Sequence, residues 1–377
     1  MSSDAPGDLQ VSLVSLPRKV GQALAAPVIA LLAAMVVTSI VLVVAGASIG
    51  DFWSVIFTVP KGRNTVNIVN QTSMIFLAAL AASIGFRMNL FNIGLEGQYV
   101  VASYAAALVA GAGWLPWKLN TLLAVLVAIV AGALWAGIAG LLKVTRGVSE
   151  VISTIMLNAI AGTLVGYLLS NKGEQFGQGR RTAPIPESSM LRGWAPFGER
   201  DGSIWGLVLI ALVAGVGVSF LINRTRFGFD LRATGMNAEA AVASGVNVNR
   251  MVVISMLLSG GIAGLIWMPA LFGDAQYYGP TFQAQLGFTG IAVALLGRNR
   301  PLGIFFGALL FAWLSEQANP LGLIADISPS VVQVTQGVVV LAVVIAYEVV
   351  RRWRAAAEQR ALREALAPAP KDEAVSA

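Results

Sequence analysis

The chain contains no cysteine and no histidine. The first absence removes disulfides, thiolate nucleophiles and sulfur-ligated metal centres. The second removes imidazole proton relays and the commonest metal ligand. An intramembrane metalloprotease or a redox enzyme does not fit, and no metal site is expected. Charge is scarce too: 12% of the 377 residues are charged, where a soluble protein has about 25%. No GxxxxGK[ST] occurs, so the chain does not itself cradle nucleotide phosphates. What is present is apolar. Hydrophobic residues make up 56% of the sequence, in recurrent runs of about 17–25 residues, the signature of a polytopic membrane protein.

These runs predict an all-α membrane helix bundle of about ten spans, some of them short or re-entrant. They fall near 24–48, 71–86, 89–111, 119–142, 150–170, 203–222, 251–272, 286–297, 302–317 and 331–350. The short runs 71–86 and 286–297 are the candidates for broken or re-entrant helices, tolerated where protein or a water cavity covers the backbone. The first run, from Ala23 to Ala47, exceeds a signal-peptide core of about 7–15 residues and is expected to be retained. With the N-terminus placed inside, seventeen lysines and arginines fall on inside segments and eight outside. That bias puts both termini in the cytoplasm of a plasma-membrane protein. The net charge of +6 (25 basic minus 19 acidic) is then cytoplasmic excess and does not point to nucleic acid. The expected organisation is a cytoplasmic segment 1–22 and a membrane domain 23–350. The latter has an external loop at 171–202 and a cytoplasmic loop at 223–250. A cytoplasmic basic helix and disordered tail follow at 351–377.

The most informative stretch is 88–104, MNLFNIGLEGQYVVASY. Asn89, Asn92, Glu96, Tyr99 and Ser103 recur at helical spacing and would share roughly 80° of one face. A carboxylate at the bilayer centre costs about 2.5–3.5 kcal/mol, so this face requires a wet or polar neighbour. Two readings stand: the wall of a substrate path, or buried glue between helices. Asn92 and Glu96 lead the candidates, because an amide with a carboxyl supplies both donors and acceptors to a neutral polar solute. Gln98 falls on the opposite face from Glu96 unless Gly94 and Gly97 break the helix. Glu150, Thr154 and Asn158 run along one side of the next span. Asn158 is the deeper lining candidate, while Glu150 reads first as an acid stabilising a helix N-terminus at the membrane surface. Gln283 and Gln285 precede the short run 286–297 and are placed in an outer vestibule. Tyr277, Tyr278 and Phe282 either stack on a ring or anchor at the interface.

The loop 223–250 predicts a short helix outside the membrane. Asn237 is its N-cap, Glu239 lies in the first turn, Ala240 and Ala241 are helix formers, and Gly245 is a left-handed cap. It is either a docking element or an amphipathic helix resting on headgroups. Leu258-Ser259-Gly260-Gly261 spells the start of a nucleotide-sensing motif but lies in an apolar span, where Gly260 and Gly264 instead form a small-xxx-small packing face. The stretches 75–89 and 287–300 echo one another weakly, each a short apolar run ending in glycine and arginine.

Four stretches carry a resemblance: FNIGLEGQ (91–98), GVSEVISTIMLN (147–158), RATGMNAEAAVASGVNV (232–248) and GFTGIAVALLGRNRPLGI (287–304). The chain resembles, from about residue 25 to 350, the permease subunits of ATP-binding cassette importers for simple sugars, branched-chain amino acids and nucleosides. The first two stretches are similar to the nucleoside-type branch. The resemblance implies that Asn237, Glu239, Ala240, Ala241 and Gly245 form a coupling helix for a separate cytoplasmic ATPase, which hydrolyses the ATP. It also implies a second permease subunit, either a relative or a second copy, and an external substrate-binding lipoprotein. The expected substrate-path residues are Asn89, Asn92, Glu96, Gln98, Asn158 and Gln285, with no catalytic residue and no cofactor bound by this chain. The competing expectation is an ion-coupled secondary transporter that uses Glu96. A lipid-modifying intramembrane enzyme finds too few catalytic groups here.

Overall fold

The computed structural model describes residues 15–324, 327–328 and 330–365. Its helices are, in chain order, α1 (Ser15–Val44), α2 (Ile49–Ile56), α3 (Arg63–Arg87), α4 (Leu95–Ala112), α5 (Lys118–Arg146), α6 (Glu150–Lys172), α7 (Val208–Arg224), α8 (Arg226–Met236), α9 (Ala238–Ala243), α10 (Val248–Ala263), α11 (Met268–Ala270), α12 (Leu286–Leu296), α13 (Pro301–Ala318), α14 (Leu321–Ile324) and α15 (Ser330–Ala365). Among the described residues the only strands, β1 (Glu174–Phe176) and β2 (Gly179–Arg181), form an antiparallel hairpin. The fold is thus an all-α polytopic bundle. Five helical stretches among the described residues are long and apolar enough to cross a bilayer, or six if the bent pair α7 and α8 is counted as one span.

The chain divides into two bodies, one made of the residues up to Ile49 and from Gln333 onward, the other of Gly50–Val332. In the first, α1 buries Ala34, Thr38 and Leu42, four residues apart along one face. Helix α15 is 36 residues long, about 54 Å at 1.5 Å per residue, against a hydrocarbon core of about 30 Å. Its apolar part, to Ala346, suits the bilayer. Beyond it an exposed Arg352–Glu348 pair at 2.8 Å marks the polar part. The span 331–350 and the basic helix from 351 are therefore one continuous helix. The expected tail from 367 and the first 14 residues of the N-terminal segment lie outside the described residues.

In the second body α3 is the central element. Every residue from Thr72 to Gly85 is buried, and α7, α10, α12 and α13 surround it. The sequence predicts a short run at 71–86, a candidate broken or re-entrant helix. The helix is in fact 25 residues long, because its polar first turns are satisfied inside the protein. Asn67 Nδ2 donates to Glu316 Oε1 at 3.0 Å. Asn70 donates to the Ser203 carbonyl and accepts from the Trp205 N–H, both at 3.0 Å. A hydropathy window discards such residues, whereas burial against partners keeps them in the helix.

A second layer is formed by α4, α5 and α6, with α10 crossing α5 closely. A Cβ on Gly260 would collide with the Gly132 carbonyl and the Ala136 side chain, and one on Gly264 with the Ala128 carbonyl. The motif-like Ser-Gly-Gly is therefore a close-packing seam. Gly260→Ala is expected to cost about 1–3 kcal/mol through overpacking, seen as a lower thermal midpoint in detergent. An unchanged midpoint would contradict the close crossing.

On the side that charge bias assigns to the cytoplasm, α7 and α8 meet at a 71° bend. Thr225 makes the corner, its hydroxyl accepting from the Gly228 N–H at 3.1 Å. Helix α9 follows directly. Asn237 caps it by accepting from the Ala240 N–H at 3.0 Å. Gly245 ends it at φ +84°, and the Val246 N–H reaches back to the Ala241 carbonyl at 3.0 Å. The short helix read from the loop is present, one residue shorter than its caps alone suggest.

The 171–202 loop is an ordered lid. Its backbone bonds to the 272–278 segment through Thr182, Ile185 and Leu191. The Thr121 hydroxyl donates to the Ser189 carbonyl at 2.5 Å, and the Lys118 ammonium donates to the Met190 carbonyl.

Candidate functional site

Helix α4 begins at Leu95, and residues 89–94 are an irregular connection with Asn89 at φ +58°. The single helical face expected from Asn89 to Ser103 is therefore broken. Asn89 is exposed on the connection, while Glu96, Tyr99 and Ser103 keep the helical spacing. Non-helical backbone at this depth is tolerated because protein satisfies it.

Asn92 is fully buried and organises the connection. Its Oδ1 accepts from the Gly94 N–H at 3.1 Å and from Gln98 Nε2 at 2.8 Å. Its Nδ2 donates to Gln98 Oε1 at 3.1 Å and to Ser259 Oγ at 2.9 Å. Ser259 in turn donates to the Ala81 carbonyl at 2.7 Å. One chain of bonds thus ties α3, the connection, α4 and α10. Gln98 is the reciprocal partner of Asn92, a pairing hidden while the helix is assumed regular from residue 89.

Asn158 reaches across from α6. Its Oδ1 accepts from the Gly97 N–H at 2.8 Å, and its Nδ2 donates to the Ile93 carbonyl at 2.9 Å. It serves as a cap supplied from another helix, since Gly94 makes no side-chain cap of its own. Asn158→Ala orphans both backbone groups and is expected to cost about 2 kcal/mol. Thermal unfolding of the purified variant checks this, and a midpoint equal to wild type would contradict it.

Glu96 does the same for α12. Its Oε1 accepts from the Gln285 N–H at 2.7 Å, and its Oε2 from the Gly287 N–H at 3.0 Å. The Tyr99 hydroxyl lies 3.1 Å from the carboxylate and 2.9 Å from the Gln283 carbonyl. Gln285, at φ +71°, gives α12 no side-chain cap, so the carboxylate satisfies that helix N-terminus and its partial positive charge. Gly287 permits the approach: a Cβ there would lie 2.7 Å from Glu96 Cα. Helix α12 has 11 residues, about 16 Å, roughly half of a ~30 Å hydrocarbon core. Its C-terminal end leads into Arg298 and Arg300; with those arginines at the membrane surface, a helix of this length would bring the Glu96–Gln285 junction to about mid-depth. The short apolar run expected at 286–297 is an 11-residue helix, shorter than a full crossing, and Gln285 is at its junction with Glu96.

Above the junction Tyr99 stacks on Phe282 at 5.4 Å, and Phe282 also meets Tyr278 at 4.5 Å and Trp267 at 4.9 Å. Tyr278 is buried, so it is packed in the protein and is not an interfacial anchor. Tyr277 instead joins Arg181, whose guanidinium lies 5.0 Å from its ring and 4.3 Å from that of Phe176. Glu150 pairs with Lys143 at 2.5 Å across the α5–α6 turn.

The geometry separates two groups. Asn92, Glu96, Gln98 and Asn158 have their polar atoms engaged within the protein. Asn89 and Gln285 are exposed, as are Phe91 and, one turn beyond Gln285 on α12, Phe288. Sequence reasoning gave no part in the site to Ser259, Gly97 or Gly287. Ser259 carried a usable signal as a polar residue inside an apolar span. The two glycines are close-approach positions that only the structure reveals.

Residues 64–346 match the family described as branched-chain amino acid transport system, permease component. The chain is 34% identical to the guanosine ABC transporter permease of Bacillus subtilis, over 86% of this chain and 93% of that protein. It is 30% identical to the glucose ABC transporter permease of Haloferax volcanii, over 87% and 88% of the two chains. It is also 30% identical to the nucleoside ABC transporter permease NupB of Lactococcus lactis, over 76% and 80%. A bundle of apolar helices matched along most of its length by such proteins belongs to this family: the chain is a multi-pass membrane permease subunit of the ABC transporter class.

Proposed function

We propose that the chain is the transmembrane subunit of an ATP-driven importer of nucleosides or related sugars. Relatives that handle guanosine and other nucleosides support the cargo class. The observation that carries the ATP-driven reading is α9. This helix is closed at both ends by side-chain and glycine caps and stands beyond the α7–α8 corner. Its Ala238, Glu239, Ala240 and Val242 are exposed and only Ala241 is buried. A rigid, small-faced projection with Met236 exposed beside it suits insertion into a groove of a separate ATPase. Asn237 and Gly245 hold its shape, while Glu239 and Ala240 present its surface.

In this reading both termini and the 223–250 loop are cytoplasmic, and the ordered 171–202 lid faces a binding lipoprotein outside. Helix α12 is a half-helix whose N-terminus opens at mid-depth, where transporters of several folds hold their cargo. Asn89 and Gln285 face the path, with Phe288 available to lie against a base or sugar ring. Asn92, Glu96, Gln98 and Asn158 fix the wall that carries them. The three donors on Glu96 support a positioning role for it and weigh against an ion-coupling carboxylate.

Affinity purification of the tagged chain from its native membrane in mild detergent, followed by mass spectrometry, tests the assembly. Co-purification of an ATPase and a second permease is expected. The chain recovered alone, even after crosslinking, would overturn the reading.

A further inference from the structure

The outer faces of α3, α7 and α13 enclose a groove of about 840 Å³ that the transport reading does not use. Its walls include Val69, Phe76, Leu212, Val216, Phe305 and Leu309. Thr72 and Ser73 also line it, but their hydroxyls are spent on carbonyls of their own helix, at 2.6 and 2.7 Å. The other polar groups gather at one end, where Ser219, Asn223 and Arg224 occupy the last two turns of α7 and Asn223 Nδ2 donates to Ser219 Oγ at a long 3.4 Å.

That end is strongly basic. Arg224 and Arg300 are exposed, and Arg300 immediately precedes Pro301, which lines the groove. Arg232 donates to the Ile222 carbonyl, two residues from Arg224. Arg87 donates to the Asn299 carbonyl at 2.9 Å through Nε and lies within electrostatic reach of both Arg232 and Arg300. Asp230 is the one carboxylate on α8. Neither Arg224 nor Arg300 has an ion-pair partner among the described residues.

An apolar groove with an unneutralised arginine cluster at one mouth matches one kind of bilayer molecule. Helix α7 runs 17 residues, about 25 Å, so an acyl chain anchored at Arg224 has more than one leaflet's ~15 Å of groove beside it. Basic pockets between membrane helices favour anionic headgroups over zwitterionic ones. We propose that this groove binds one anionic glycerophospholipid, its acyl chain between α3, α7 and α13 and its phosphate on Arg224 and Arg300. Asn223 and Ser219 offer donors and acceptors to the glycerol and ester oxygens. The site stands apart from the Glu96–α12 junction and holds whatever the cargo.

Native mass spectrometry of the full-length permease with its co-purifying subunits tests this. The complex is titrated with phosphatidylglycerol and phosphatidylcholine of equal chain length. Wild type is expected to retain phosphatidylglycerol roughly thirtyfold more tightly, from two arginines each worth about a factor of five. Arg224→Gln with Arg300→Gln should erase that preference, whereas Val216→Trp, which fills the groove wall, should weaken both lipids. Excess inorganic phosphate should not displace the lipid. Equal retention of the two lipids by wild type, a preference that survives the double substitution, or displacement by phosphate would each overturn the proposal. The wild-type comparison needs no variant, so it decides even where a variant fails to fold.

Discussion

Glu96→Ala is expected to unseat the N-terminus of α12 and to abolish transport. The carboxylate accepts from the backbone N–H groups of Gln285 and Gly287, and α12 has no side-chain cap of its own. Hydrogen bonds to a charged group are worth about 1.5–3 kcal/mol each, and removing the acceptor leaves both donors orphaned. The expected loss is therefore about 3–5 kcal/mol, a substantial share of the stability of a marginal fold. It should appear as a lower thermal midpoint in detergent and as uptake at background. Glu96→Gln keeps one acceptor oxygen but turns an amide N–H₂ toward a backbone donor. It should lose about half as much stability and retain measurable uptake. A Gln variant as stable as wild type yet unable to concentrate substrate would instead identify Glu96 as an ion-coupling group.

Replacing Glu239 and Ala240 together with arginine is expected to separate ATP hydrolysis from transport. Both side chains are exposed on α9, away from its one buried residue, Ala241. The caps at Asn237 and Gly245 are untouched, so helix and membrane insertion should survive. Two bulky cations on a small-faced element that enters a partner groove should cost at least about 2 kcal/mol of docking, roughly thirtyfold. Uptake should fall by that order while the ATPase keeps its basal activity and the permease is recovered at wild-type yield. Unchanged uptake would remove α9 from the coupling path.

The span pattern was legible in the sequence because a bilayer forces long apolar runs on any helix that crosses it. It failed where protein, not lipid, is the neighbour. The first turns of α3 carry Asn64, Asn67, Asn70 and Gln71 and read as loop, yet Asn67 and Asn70 find partners on α13 and in the 203–205 segment. The polar stripe at 89–103 was legible as unusual, and Gly94 and Gly97 marked it as breakable, but the break at 89–94 was not, because periodicity does not record that Asn89 takes a left-handed conformation. The buried Asn92–Gln98 pair follows from that break. The cap geometry of α9 was readable in full, since Asn237 and Gly245 act locally. The role of Asn158 was not, because its partners Ile93 and Gly97 lie more than sixty residues away.

ATP-driven inward movement of nucleosides or related sugars is the proposed activity of this chain. The most direct test reconstitutes it with its ATPase, second permease and binding protein in proteoliposomes. ATP is supplied on the ATPase side and a radiolabelled nucleoside on the other. Uptake is expected to require ATP and to continue when an uncoupler and a sodium ionophore dissipate the ion gradients. Uptake without ATP that collapses with those gradients would overturn ATP-driven import and return Glu96 to the centre of an ion-coupled mechanism.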